Sequence, residues 1–161
     1  MMQNDDIPYR DYDHAAKFAA GYAFTIDRDG RWYCHDPGMG EGPIRRESLA
    51  RLFAGAGTGW MAGKGLSVDA DGIYWLKSPH DVYKIDVEDV PFVIVDYDRK
   101  AQMLILKTNF GEEVTLSADH TFLFRPDGPF PDVPYVEVRK GLLARVGRAV
   151  FYNLAAEAVH H

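Results

Sequence analysis

Ser78-Pro79-His80-Asp81-Val82-Tyr83-Lys84-Ile85-Asp86-Val87-Glu88-Asp89-Val90-Pro91-Phe92-Val93-Ile94-Val95 decides how the chain is read. From Val82 it alternates: Val82, Lys84, Asp86 and Glu88 on one side, Tyr83, Ile85 and Val87 on the other. A period of two means a strand with one wet and one buried face. Pro91 interrupts it. Phe92 to Val95 then runs apolar without a break, the pattern of a strand covered on both faces. The sequence before this stretch reads as one small unit and the sequence after it as another. As domains we expect a polar lead over 1–21, an N-terminal strand-and-helix unit over 22–66, and a C-terminal antiparallel sheet with a terminal helix over 67–161.

Moving outward, 14–20 reads as a short helix ended by Gly21. Strands are expected at 22–26 and 31–35 around an Asp29-Gly30 turn, with Trp32 inside. Residues 36–42 carry Pro37, Gly38, Gly40 and Gly42 and form a loop. A helix is predicted from Arg45 or Arg46 to about Ala54, with Leu49, Leu52, Phe53 and Ala56 on one stripe. Five glycines in 55–65 make a connector. Further strands are expected near 73–76, 82–87, 92–97, 103–107, 113–116, 121–124 and 135–138. Turns are marked by Asp71-Gly72, Asp98-Arg99-Lys100, Asn109-Phe110-Gly111 and Asp127-Gly128. A closing helix is expected from about Gly141 to Val159. The fold class is α+β: an antiparallel meander curling toward a half-barrel and closed by a helix.

Composition narrows the classes. With 47% apolar and 13% aromatic residues in 161, a sizeable core is expected rather than disorder. A net charge of −6 argues against a dedicated binder of nucleic acid or anionic membrane. Cys34 is the one cysteine, so intramolecular disulfides and thiolate zinc clusters are excluded and a reducing compartment fits. No apolar run reaches the roughly 20 residues of a membrane span. The acidic start is unlike a secretory leader, so a cytoplasmic protein is expected.

An ungapped internal match sets 44–52 (Ile-Arg-Arg-Glu-Ser-Leu-Ala-Arg-Leu) against 138–146 (Val-Arg-Lys-Gly-Leu-Leu-Ala-Arg-Val), an offset of 138 − 44 = 94. It suggests a duplicated strand-then-helix unit; chance similarity between two amphipathic helices is the alternative. Two cations at each expected helix start oppose the macrodipole. Stems covering apolar surface would explain them, and so would an anion site of guanidinium groups and backbone N–H donors.

These residues resemble a known bacterial family. Trp32, Pro43-Ile44, Leu49, Leu52 and Phe53 come first. Asp71-Gly72-x-Tyr74-x-Leu76, Ser78-Pro79, Ile85-Asp86-Val87-Glu88-Asp89-x-Pro91-Phe92 and Lys107-Thr108-Asn109-x-Gly111 follow. Pro134-Tyr135-x-x-Val138-Arg139-x-Gly141-Leu142 and Arg145 complete the series. In this order they resemble the family named domain of unknown function 1285, from about residue 22 onward. The resemblance implies a duplicated core, a C-terminal half similar to pleckstrin-homology-like folds, a ligand site between the halves and a role in regulation or signalling. The glycine-rich 55–65 segment departs from the family pattern.

Other chemistry fares poorly. Residues 57–65 lack the spacing of a phosphate loop. No G-x-S-x-G occurs. Cys34 and His35 are strand neighbours and point to opposite faces. His14, His35, His80 and His120 share no metal-ligand spacing. Asp86, Glu88 and Asp89 read as a solvated or ion-paired group.

The expected function is a non-enzymatic ligand-binding or regulatory module for a small anionic molecule or an anionic protein segment. Arg45, Arg46, Arg139 and Lys140 would supply charge, Thr108 and Asn109 hydrogen bonds, and Trp32 or Tyr135 apolar cover. No catalytic residue, metal or cofactor is assigned. The alternatives are a hydrolase using His80 or His120 with a carboxylate, and nucleic-acid binding through the basic helix starts.

Overall fold

The computed structural model of the chain describes residues 9–45, 65–77 and 81–160. Ser78, Pro79 and His80, and the helix expected over 46–54, lie outside these. The chain divides into two compact units between Asp89 and Val90. Each contains one six-stranded sheet.

The first unit begins with α1 (His14–Ala19), capped by Asp13, whose carboxylate accepts from Ala16 N. Its strands are β1 (Tyr22–Ile26), β2 (Trp32–Cys34), β3 (Gly42–Ile44), β4 (Leu66–Val68), β5 (Tyr74–Lys77) and β6 (Val82–Val87). The sheet order is β3-β2-β1-β6-β5-β4, with β1 and β6 parallel at the centre. The division expected at 66/67 therefore falls inside one sheet: β4 and β5 reach β1 only through β6. The hairpin between β1 and β2 turns where the Asp29-Gly30 signal placed it, with Gly30 at φ 80°. Period two sorts this sheet into two faces. Phe24, Ile26, Trp32, Cys34, Leu66, Leu76 and Ile85 are buried on one. There Phe24 meets Trp32 and Tyr83 edge-on at 5.9 and 5.4 Å.

The second unit comprises β7 (Phe92–Lys100), β8 (Met103–Thr108), β9 (Glu113–Leu116), β10 (Leu123–Asp127), β11 (Phe130–Arg139), β12 (Leu142–Val146) and α2 (Arg148–His160). Its order is β10-β11-β12-β7-β8-β9. The sheet is mixed rather than antiparallel throughout, because β12 runs parallel to β7. The closing helix starts at Arg148, not Gly141. Residues 142–146 alternate buried and half-buried, as a strand does, and Gly141 at φ 79° makes the turn from β11. Phe92, Val93 and Ile94 are buried, but Val95 is 46% exposed, so the doubly covered run is one residue shorter than expected. Val150 anchors α2, and Glu157 binds Tyr97 and Arg99 of β7.

Counted within its own unit, each sheet has the strand order 3-2-1-6-5-4. Corresponding backbone bonds recur. The residue following the second strand donates to the first, His35 N to Ala23 O at 2.9 Å and Asn109 N to Val93 O at 2.8 Å. The residue following the sixth strand does likewise, Glu88 N to Ile26 O and Gly147 N to Ile94 O, both 2.9 Å. The expected 94-residue repeat does not follow this correspondence. Ile44 ends a third strand and Val138 lies in a fifth. Arg139 and Lys140 sit at a strand end and a turn, so no helix macrodipole opposes them. Among the described residues no helix is long and apolar enough to cross a membrane.

Candidate functional site: a buried polar face

The other face of the first sheet carries the chemistry. Thr25 projects there from β1, followed by Asp27 at its end; Arg31, Tyr33 and His35 project from and beside β2. All five are buried. A face written in polar residues at period two is ordinarily wet. Here residues 9–14 cover it. Tyr12 packs edge-on against Tyr33 and His35, at 4.8 and 5.6 Å between ring centres. Tyr9 reaches Tyr33 at 6.2 Å and lies over the Arg31 guanidinium at 4.4 Å. Lys17 of α1 pairs with Asp86, and Arg10 with Glu88. Two of the three carboxylates that sequence placed in a charged group, Asp86 and Glu88, thus fasten this segment.

Buried polar groups need partners, and Asp27 is the hub that supplies them. Its Oδ1 accepts from Asp29 N at 2.9 Å and Arg31 N at 3.0 Å; its Oδ2 accepts from the Tyr33 hydroxyl at 2.8 Å. Arg10 N donates to the Tyr33 oxygen at 3.2 Å. Burial first, then the neighbouring carboxylate, pushes the Tyr33 phenol up to about 12. Burial, reinforced by His14 and Lys17, lowers His35 to about 4. Both are therefore neutral at pH 7. His35 Nε2 lies 2.6 Å from Thr25 Oγ1, and its Nδ1 lies 2.8 Å from Nδ1 of His14. One of these Nδ1 atoms must carry a hydrogen for the contact to be attractive. Two histidines with no shared ligand spacing are thus joined by the fold. Among the described residues no group of three or more His, Cys, Asp or Glu is arranged to hold a metal ion.

Arg31 differs from its neighbours. It is 8% exposed, and both terminal guanidinium nitrogens are buried without a hydrogen-bond partner among the described residues. Cys34 faces the opposite side, its thiol raised by burial and donating weakly to Asp36 O at 3.8 Å.

The residues singled out from sequence are distributed as follows. Arg45 is an exposed residue following β3, and Arg46 lies outside the described residues. Trp32 and Tyr135 are core residues, 2% and 0% exposed. Thr108 Oγ1 accepts from Phe110 N and Glu112 N, both at 3.2 Å, and Asn109 Oδ1 accepts from Val93 N at 3.1 Å. Arg139 donates to Glu112 at 2.8 Å, and Lys140 is exposed beside it. Thr108, Asn109, Arg139 and Lys140 therefore gather at one end of the second sheet. The Arg139–Glu112 ion pair ties the end of β11 to the β8–β9 turn. His120 gives Nε2 to the Glu137 carbonyl at 2.7 Å, and His80 lies outside the described residues.

Thr25, Asp27, Arg31 and Tyr33 were not foreseen as a group. Their signal was present: polar residues at 25, 27, 31, 33 and 35 interleave with apolar ones at 24, 26, 32 and 34. What sequence could not supply was the cover from residues 9–14.

Comparison with known proteins bears on the second unit most directly. Residues 91–161 match the family model described as protein of unknown function (DUF1285), C-terminal domain. This stretch is thus similar to the C-terminal domain of the DUF1285 family. Two solved structures extend the likeness beyond it. One is a DUF1285 family protein from Silicibacter pomeroyi DSS-3, 27% identical, with a TM-score of 0.62 over 83% of this chain and 67% of that one. The other is a DUF1285 family protein from Shewanella baltica OS155, 25% identical, with a TM-score of 0.57 over 84% of this chain and 92% of that one. No curated protein matches the chain. The resemblance drawn from the motifs is borne out. Within the second unit, Phe122, Phe124, Pro134, Phe151, Leu154 and Ala155 line an apolar cleft of about 160 Å3 between the β10–β11 hairpin and α2.

Proposed function

We propose that the protein is a non-enzymatic ligand-binding or regulatory module of the cytoplasm that takes a small anionic molecule. One observation carries the reading: Arg139 crosses to Glu112 and draws the cations of the β11–β12 turn to the end of the sheet where Thr108 and Asn109 fix the β8–β9 turn. Arg139 gives one terminal nitrogen to Glu112, and its Nε has no hydrogen-bond partner among the described residues. A carboxylate or phosphate would compete with Glu112 for the planar fork. Lys140 would add charge. Thr108 and Asn109 would act by holding the turn, and Trp32 and Tyr135 by filling the cores. A thermal-shift screen of nucleotides and organic acids tests this, with Arg139→Ala and Lys140→Ala alongside. If no compound raises the melting temperature, or both variants respond like the parent, the reading fails.

A protein partner is the second reading, favoured by the apolar cleft and by Phe124, which is 61% exposed on its wall. We also read the shared strand order as the trace of a duplication setting β1–β6 against β7–β12. Failure of the six strands to superpose in order would reject it.

A further inference from the structure

We propose that Arg31 anchors a second, separate site: a receptor for the head of a compact oxyanion, closed by Tyr9. The argument begins with an imbalance. A guanidinium is always charged and carries five N–H donors. Burying it is costly unless its donors are matched. Arg31 is buried, and neither terminal nitrogen has a hydrogen-bond partner among the described residues.

Two carboxylates of this network are engaged elsewhere. Asp27 holds two backbone amides and the Tyr33 hydroxyl. Glu88 takes the Arg10 guanidinium on Oε1 and the Arg28 amide on Oε2 at 2.7 Å. The Tyr9 ring faces the guanidinium at 4.4 Å, but a π face answers the charge and leaves the in-plane N–H groups unmatched. What completes such a fork is a pair of oxygens on one atom, the geometry of a carboxylate or a phosphate. Tyr9 is 37% exposed, so its ring borders solvent on one side and Arg31 on the other. Lifting that ring would uncover the guanidinium on its solvent side. The remainder of a larger ligand would extend outward past Tyr9.

This site lies in the first unit and does not depend on Arg139. The test is a titration of the full chain with inorganic phosphate and, separately, with acetate. Ionic strength is matched with sodium chloride, and both the melting temperature and the Arg31 guanidinium NMR resonances are followed. Phosphate, acetate or both should raise the melting temperature saturably and shift those resonances. Whichever acts identifies the head group. Arg31→Lys keeps the charge but loses the fork, and should weaken binding by about tenfold or more. Tyr9→Ala should bind at least as tightly as the parent, and the Arg31 resonance shifts should persist in Arg139→Ala. Should Arg31→Lys not fold, the resonance shifts in the parent and in Tyr9→Ala decide. No resonance shift with either anion, or an Arg31→Lys variant that binds like the parent, would overturn the proposal. Loss of the Arg31 resonance shifts in Arg139→Ala would overturn it as well.

Discussion

Thr25 Oγ1 and His35 Nε2 stand 2.6 Å apart in the interior of the first unit, on a sheet face that sequence alone would assign to water. Holding His35 neutral there has a thermodynamic consequence. Its folded-state pKa, about 4, lies below the ordinary 6.5, so between these values the unfolded chain binds the proton more tightly. The contribution to stability is complete above about pH 6.5 and is lost as pH falls toward 4, amounting to on the order of 3 kcal/mol at most. Urea midpoints at pH 7 and pH 4.5 should differ accordingly, and His35→Gln should flatten the difference. A His35 resonance titrating near 6.5 would contradict this account.

Asp27 should be among the costliest positions in the first unit. Asp27→Ala strands two backbone amides and the Tyr33 hydroxyl, and is expected to lose about 2–4 kcal/mol. Asp27→Asn keeps an acceptor for the amides and should lose less than half of that. Spectrophotometric titration gives a second readout. Tyr33 should still ionise above 10 in Asp27→Asn, because burial is the larger cause of its shift. Equal losses in the two variants would mean that the hub does not act through its hydrogen bonds.

The β7–β8 hairpin turns on two residues, Ala101 at φ 51° and Gln102 at φ 72°. Both occupy the left-handed region, which costs a non-glycine residue roughly 1–2 kcal/mol. Gln102→Gly relieves one of them, and after its own entropy loss should stabilise by about 0.5–1 kcal/mol. Thermal denaturation checks this; a lower melting temperature would count against the assigned turn.

Gly147 has the opposite sensitivity. A Cβ there would sit 2.6 Å from the Ile94 carbonyl oxygen, which accepts the Gly147 amide at 2.9 Å. Gly147→Ala must shift that backbone and should cost about 1–3 kcal/mol. A chevron or equilibrium urea series would measure it, and an unchanged midpoint would mean that this close approach relaxes freely.

How much of this was legible depends on how local the signal is. The first and last strands of the first sheet, Tyr22–Ile26 and Val82–Val87, begin and end where alternation placed them, and so does Glu113–Leu116. β12 was misread because Leu142, Leu143 and Val146 also suit a helical stripe. The glycines at 141 and 147 that bracket a five-residue strand were the better signal. β3 and β4, three residues each, are too short to declare a period. The Asn109-Phe110-Gly111 signal marks the turn at which Thr108 and Asn109 sit, whereas the polar face of β1 and β2 depends on a covering segment with no periodicity of its own. Parallel pairing of the first and sixth strands leaves no mark in either strand.

That pairing also constrains synthesis. Tyr22 meets Lys84, 62 residues downstream (84 − 22), and Phe92 meets Ala144, 52 residues downstream (144 − 92). Hairpins can close as soon as they leave the ribosome, but neither central seam can zip until its last strand has emerged. A nascent chain arrested before Val87 would hold only separate ribbons, and pulling on such arrested chains should register two late, abrupt compactions rather than a gradual one.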